Sequence, residues 1–412
     1  MEDISRFVCC ALDHIGYDRE IIEIRRNCWR ELSRMVNETI SHNTGIHLTI
    51  AGSKAEGITS YRESDIDFMF LLNDVICTDS VQPFLQLPGM TILQTDMRNT
   101  SPGYTKLKMV SFNRKISHSD IEESLFAENS GEIFASSALF SSYIYLLCRT
   151  LNDYRIVNDA SISGPATTTS HANANDSDFV GALHCICPNV LHSFRTRLRK
   201  FDWPPLDIIQ DDYSAFCQLV PVGYKGSCDQ WKEWRFCFIQ TELRLTCSLN
   251  NTQIKLYIVL KMISKTILKC VSDEISSYIM KNITFWMSEL FGSHIFREEN
   301  FIALMLVALR LLKVSIDNKC LPYYMIPGRN LLAERLEPNT KHRLSVLISQ
   351  LLDEGPRLLL RCPKLRAGMT LLYRSPDGLD NRRNQMKTEI FIFQRSISFV
   401  REILNCVTVG LI

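Results

Sequence analysis

The stretch Gly52–Leu72, GSKAEGITSYRESDIDFMFLL, decides how this chain is read. It closes on FMFLL, an apolar run suited to a strand, yet that strand opens with two carboxylates one residue apart, Asp65 and Asp67. On a strand, side chains at i and i+2 lie on one face, about 6 to 7 Å apart along it. Asp65 and Asp67 therefore share a face, and Ile66 and Phe68 point into the opposite layer. Adjacent carboxylates repel unless a proton or cation lies between them, and a hard divalent ion is the usual answer. Mg²⁺ accepts one or two protein carboxylates and fills its other positions with water and phosphate oxygens. Gly52 and Ser53 supply the matching half. Glycine lets backbone come close to a phosphate, and amide hydrogens with the Ser53 hydroxyl can bond its oxygens. A third acid would complete a two-ion site, in which one ion activates the attacking oxygen and the other stabilises the leaving one. Asp178, opening SDFVGALHC, is the chosen candidate, with Asp176 as the fallback.

Outward from this stretch, Arg19 to Ile40 repeats apolar residues at helical spacing (Ile22, Trp29, Leu32, Val36, Ile40), predicting a long amphipathic helix. IHLTIAG is a short strand closed by Gly52. Residues 65–72, 104–112 and 177–187 read as further strands, 135–151 as a helix, and 163–177 as a loop or hairpin. After about residue 200 the texture turns helical: 233–248, 252–270, 275–291, 298–317, 340–354 and 387–407, divided by signals such as YYMIPGRN and CPKLRAG. The expectation is an α+β protein of two lobes. Residues 1–200 would form a mixed-sheet lobe with a long spanning helix, and 201–412 a helical lobe.

The 412 residues exceed the usual size of one hydrophobic core. A net charge of +1 confines any affinity for nucleic acid to local patches. Fifteen cysteines follow no regular framework, so reduced thiols are expected. The start MEDISRFVCC has neither the basic n-region nor the cleavage site of a secretory signal, and FIALMLVALRLLKV is too short to span a bilayer and is broken by Arg310. These readings predict a cytoplasmic protein without membrane contact.

The motif order G-S-x-x-E-G (52–57), D-I-D-F-M-F (65–70) and D-F-V-G-A-L (178–183) resembles the nucleotidyltransferase core of the cyclic GMP-AMP synthase-like receptors, within the broader male-abnormal (Mab) domain family. The similarity continues through EWRFCFIQTEL (233–243), SLNNTQIKLYIVLKMISK (248–265), ISSYIMKNITFWM (275–287) and CLPYYMIPGRNLL (320–332), and reaches about residue 335. The resemblance implies a two-lobed nucleotidyltransferase fold. It implies that Asp65, Asp67 and Asp178 are catalytic and hold two Mg²⁺ or Mn²⁺ ions under a triphosphate. It places Gly52, Ser53, Lys261 and Ser277 on phosphates, Tyr278 on a base, and Arg235 and Glu242 beside the acceptor nucleotide. ATP and GTP, or other nucleoside triphosphates, would be joined into a cyclic dinucleotide, a second messenger of innate immune signalling. A ribose hydroxyl would attack the α-phosphate, with Asp178 helping to take its proton.

The chain departs from the vertebrate DNA-sensing member. TELRLTCSLNNTQIKLY passes between helices with only Cys247 and no histidine, so no zinc module is expected there, and HCICPNVLH lacks the usual knuckle spacing. Arg26, Arg30 and Arg34 form a stripe at i, i+4 and i+8, and Arg195, Arg197, Arg199 and Lys200 a second basic cluster, with Lys54 near the acidic strands. These suit contacts to a duplex, double-stranded RNA by the family resemblance; the alternative is a solvated face neutralised by Glu23 and Glu31. Against the enzyme stand a catalytically silent Mab-domain scaffold and a template-independent polymerase. Base choice, linkage, activating ligand, preferred metal and oligomeric state are not legible in the sequence.

Overall fold

A computed structural model describes residues 1–61, 63–81, 89–112, 119–153, 159–170, 176–210 and 216–374, together with 384, 387–389, 391–393 and 395. Its helices are α1 (Glu2–Leu12), α2 (Arg19–Thr44), α3 (Gly52–Ala55), α4 (Ser119–Glu123), α5 (Ser137–Asp153), α6 (His192–Thr196), α7 (Leu206–Ile209), α8 (Ile239–Ser248), α9 (Asn251–Thr266), α10 (Ser277–Leu290), α11 (Phe301–Asp317), α12 (Pro338–Glu354) and α13 (Pro363–Arg374). Its strands are β1 (Ile46–Ala51), β2 (Ile66–Thr78), β3 (Thr91–Asp96), β4 (Tyr104–Ser111), β5 (Leu125–Ala127), β6 (Ile133–Ala135), β7 (Asp159–Ser163), β8 (Ala166–Ser170), β9 (Ser177–Ile186), β10 (Phe216–Val220) and β11 (Glu233–Cys237).

The chain divides into two compact units, and the division is not a single cut near residue 200. Met1–Ile22, His192–Asp211 and Arg244–Thr388 form a helical unit; Glu23–Leu191, Asp212–Leu243 and Glu389–Ile412 form a unit built on the sheet.

In the sheet unit the strands run in the order β1-β2-β3-β4-β11-β10-β9-β8-β7, and β2 also pairs β9, so the path returns on itself. The β2–β9 pair is parallel, with Ile66 opposite Ser177, Asp67 opposite Asp178 and Phe68 opposite Phe179. β1 runs antiparallel to β2, with Ala51 opposite Asp67. Strand alternation separates the two faces of β2. Phe68 and Phe70 stack on Phe179 at 5.3 and 5.6 Å and pack on the core of Trp29, Leu32 and Val36 from α2 with Leu48 and Ile50 from β1. Met69 and Leu71 pack on the other side with Ala182 and Val220. The apolar stripe read from the sequence is the buried stripe of α2 at Ile22, Trp29, Leu32 and Val36; the side chain of Ile40 lies outside the described residues. α2 also serves the open edge of β1. Asn37 exchanges two 2.7 Å hydrogen bonds with the backbone of Leu48, and the Ile50 amide donates to Ser33 Oγ, which satisfies groups an edge strand leaves exposed. α5 lies so close to β9 that a Cβ at Gly181 would stand 2.7 Å from Ile144 and Phe140, so only glycine fits there.

The helical unit is sewn together by buried charge. α9 opens with a capping box, Asn250 accepting from the Gln253 amide and Gln253 accepting from that of Asn250. On α9 the fully buried Lys255 donates to Asp13 at 2.8 Å and to Glu298 at 2.9 Å. Glu289 gathers Arg197 at 2.8 Å, Arg199 at 3.0 Å and the Tyr324 hydroxyl at 2.6 Å. Removing one partner from such a set costs about 3 to 5 kcal/mol, because buried charge is left behind.

Several expectations are corrected. Residues 233–237 are the strand β11, not the start of a helix: Trp234 and Phe236 are buried in alternation, and the strand is held by β4 and β10. CPKLRAG is no separator, since Pro363 occupies the first position of α13, where a missing amide costs nothing. The stretch 163–177, read as a loop or hairpin, holds the turn and the second strand of the hairpin β7–β8 up to Ser170, in keeping with that reading; 171–175 lie outside the described residues. α1, β3 and β10 were not foreseen. Of 387–407, the described positions 387–389, 391–393 and 395 are helical, and the remainder lies outside the described residues.

Candidate active site

β2 and β9 bring two of the expected carboxylates together. Asp67 and Asp178 are partners in register on adjacent parallel strands, whose spacing is about 4.8 Å, and share the sheet face of Met69, Leu71, Val180 and Ala182. Both are half-buried. Asp178 is held by Thr168 of the neighbouring β8, whose hydroxyl donates to Oδ1 at 2.6 Å. Thr168 escaped the sequence reading because nothing local marks it; only the pairing of β8 with β9 places it opposite Asp178.

Gly52 sits against Asp67. Its φ of +63° is a left-handed conformation that glycine adopts without strain, and a Cβ there would stand 2.0 Å from Asp67 Oδ2. The turn is thus built around the carboxylate, and Ser53 follows it at the start of α3. Asp65 precedes β2 and is exposed, as is Asp176, whose backbone carbonyl accepts from the Ile66 amide at 3.0 Å. Among the described residues no three His, Cys, Asp or Glu side chains stand close enough to hold a metal ion as a group. Two hard oxygen donors in register, with space kept clear by glycine, fit a Mg²⁺- or Mn²⁺-type ion that takes most of its ligands from substrate and water.

Arg235 lies on β11 and the buried Glu242 in the first turn of α8; Cys237 and Ile239 between them pack on the Met69 and Leu71 core, the face that carries Asp67. In the helical unit, Lys261 is buried on α9, and Ser277 and Tyr278 open α10. The Tyr278 ring lies 6.0 Å from Tyr323 and 5.3 Å from the Lys281 ammonium, and the Arg329 guanidinium covers Tyr323 at 5.0 Å. Lys281 and Arg329, which lie beside these rings, were not singled out in the sequence.

The basic candidates fare differently from one another. Lys54 is fully buried, its amine donating to the Ser60 carbonyl at 2.8 Å and to that of Tyr61, so it is no surface contact. Burial pulls its pKa down to about 8. Arg26 is buried too, bonded to the Glu56 carbonyl at 2.9 Å and to Glu23 at 2.7 Å. Arg197 and Arg199 spend their charge on Glu289. Arg34 is exposed but paired with Glu31 and Glu38, while Arg30 bonds Asn27 at 3.0 Å. Lys200 is exposed beside the Phe201 ring, and Arg195 is half-buried. Cys185 and Cys187 are buried thiols, and burial drives that of Cys185 well upward.

Residues 252–350 match the Mab-21 protein HhH/H2TH-like domain. The Mab-21 match runs from α9 into α12, so it includes Lys261, Ser277 and Tyr278 and stops short of the sheet unit. The Mab-21 domain belongs to a nucleotidyltransferase-like fold, and the α+β class expected from the sequence holds. No curated protein matches the chain. Among the described residues no helix is long and apolar enough to cross a membrane.

Proposed function

We propose that this protein is a divalent-ion-dependent nucleotidyltransferase that joins two nucleoside triphosphates, ATP and GTP by the family resemblance, into a cyclic dinucleotide for cytoplasmic innate immune signalling. One observation carries the reading: Asp67 and Asp178 stand in register across β2 and β9, with Gly52 shaped around the Asp67 carboxylate and Ser53 beside it. A scaffold would have no use for two carboxylates turned to one face at the end of a sheet.

Asp67 and Asp178 would hold the ion, joined by Asp65 once substrate is bound. The ion would supply positive charge to the phosphate oxygens and lower the pKa of an attacking hydroxyl. The chain's own groups do the rest. Thr168 fixes one Asp178 oxygen and so orients the other toward the attacking hydroxyl, whose proton it can accept. The Ser53 hydroxyl and neighbouring amides grip the donor phosphates. By the family resemblance alone, Lys261 and Ser277 are assigned to phosphate, Tyr278 to a base, and Arg235 and Glu242 to the acceptor nucleotide.

Double-stranded RNA remains the proposed activator, and Arg30, Arg34, Arg195 and Lys200 are the basic residues left to contact it. The test is incubation of purified protein with the four ribonucleoside triphosphates and Mg²⁺ or Mn²⁺, with and without duplex RNA or DNA, followed by mass spectrometry. A small cyclic product is expected, lost at least a hundredfold in Asp67→Ala, on the scale of removing an electrostatic catalytic group. Growing chains would indicate a polymerase; no triphosphate consumption under any condition would indicate the scaffold.

A further inference from the structure

Residues 59–61 and 63–64 lie between the Gly52-Ser53 turn and Asp65, and they are tied down in an unusual way. From α3, Lys54 passes into the interior, fully buried, and its ammonium donates to the backbone carbonyls of Ser60, at 2.8 Å, and Tyr61. The same ammonium lies 5.7 Å from the Trp29 ring and 5.5 Å from that of Tyr61, which stack on each other at 6.0 Å with planes 4° apart. Phe393 closes the far side with its edge toward Trp29 at 6.0 Å, and Glu389 pairs with the buried Arg25 at 2.8 Å. Within the loop, the Ser60 amide donates to Glu63 at 2.7 Å, and the hydroxyls of Thr59 and Ser64 meet at 3.2 Å.

A buried ammonium is costly unless its hydrogens find acceptors. Here the acceptors are loop carbonyls that would otherwise need water, and the aromatic faces add cation–π attraction. Lysine and loop are therefore conditional on each other. The contact spans the two halves of the site: Lys54 immediately follows Ser53, and the residues it holds lie four and five positions before Asp65. Asp65 is exposed and not grouped with Asp67 and Asp178, so its approach to their ion depends on where this loop stands.

We propose that Lys54 is a positioning residue that locks the phosphate-gripping turn to the Asp65 loop, so that a triphosphate seated on Ser53 presents its divalent ion to Asp65. This rests on the nucleotidyl-transfer reading. Phe393, set edge-on against Trp29, acts as the lid of the clamp.

The experiment compares full-length wild type, Lys54→Met and Lys54→Arg by hydrogen exchange of residues 59–65 and by Mn²⁺ titration with a non-hydrolysable ATP analogue. Lys54→Met should speed exchange across 59–65 while β2 and β9 stay as protected as in wild type, and weaken Mn²⁺ about tenfold, the scale of losing a group that orients a metal ligand. Lys54→Arg, which keeps charge and donors, should recover most of both effects. Should Lys54→Met fail to fold, Phe393→Ala removes the lid and should loosen the same segment to a smaller extent. Unchanged exchange in the folded variants, or a loosened loop with wild-type Mn²⁺ affinity, would overturn the proposal alone. Wild type that binds no Mn²⁺ with the analogue would overturn the nucleotidyl-transfer reading and this proposal with it.

Discussion

At the residue scale, the candidate site was legible where residue type and strand period coincide. Asp65, Asp67, Gly52 and Ser53 stand out in the sequence because carboxylates two apart at the head of an apolar run repel unless a proton or cation lies between them, and a Gly-Ser turn before them offers amides; the fold keeps Asp67 on β2 and leaves Asp65 exposed ahead of it. What Gly52 excludes was not legible: a Cβ would stand 2.0 Å from Asp67 Oδ2, and the φ of +63° strains any other residue. Gly52→Ala is accordingly expected to displace the carboxylate and depress turnover by two orders of magnitude or more, roughly the loss of one oriented electrostatic group, while costing about 1 to 2 kcal/mol of stability. Steady-state kinetics beside urea denaturation separate these effects; near-normal turnover would show that the contact is unimportant. Lys54 illustrates the opposite case. A lysine beside a turn looks like a surface contact in sequence, and only the fold shows that it turns inward. Its pKa is pulled by burial from 10.5 to about 8, which fixes a sign. Below about 8 native and unfolded chains both hold the proton; between there and 10.5 only the unfolded chain does, so native stability rises with pH across that window. The gain is bounded at about 3 kcal/mol, and Lys54→Met should lack it. Denaturation midpoints of the two proteins at pH 7 and pH 10 provide the check.

At the scale of elements, long periodic segments were readable and short paired ones were not. α2, α9 to α12, β2, β4 and β9 follow from apolar spacing that repeats over several turns or alternations. β11 fails that test because five alternating residues run straight into the helical pattern of α8. Its strand character is decided by Lys106, Thr105 and Tyr104 of β4 and by Cys217's neighbours on β10, more than a hundred positions away in the first case and invisible to a local window. α13 was hidden by a proline that reads as a breaker yet opens the helix. Layer contacts are equally non-local, and Gly181 is the sharpest of them. Any side chain there meets Ile144 and Phe140 of α5 at 2.7 Å. Gly181→Val should push α5 off β9 and destabilise the protein by about 1 to 3 kcal/mol, the usual penalty for overpacking. Because Gly181 lies three residues beyond Asp178 on the same strand, activity should fall as well, whereas the substitution Leu146→Ala on the exposed side of α5 should change neither thermal midpoint nor turnover appreciably.

At the scale of the whole molecule, the chain's order and its folded units do not coincide. Composition shifts near residue 200, so a two-lobe division at that point is natural from sequence, but compactness is set by which segments bury each other. The helical unit takes Met1–Ile22 from the opposite end of the chain. That segment contributes specific bonds: Asp13 takes one of the two charged contacts of the fully buried Lys255, and Ser5 Oγ accepts from the Ile302 amide at 3.2 Å, capping the start of α11 from another helix. A fragment of residues 201–412 would lack both, along with Arg197 and Arg199, which face the buried Glu289. Lys255 would retain Glu298, but Glu289 would lose both guanidinium groups and the Ile302 amide its acceptor, and leaving one buried charge without its counter-charge costs about 3 to 5 kcal/mol against an ordinary domain's whole stability of about 5 to 15 kcal/mol. The fragment is therefore expected to be unfolded or aggregated, with weak helical circular dichroism and no cooperative melt. A cooperatively folding 201–412 would mean that these buried charges are satisfied without their partners, and that the contiguous boundary read from composition is the physical one.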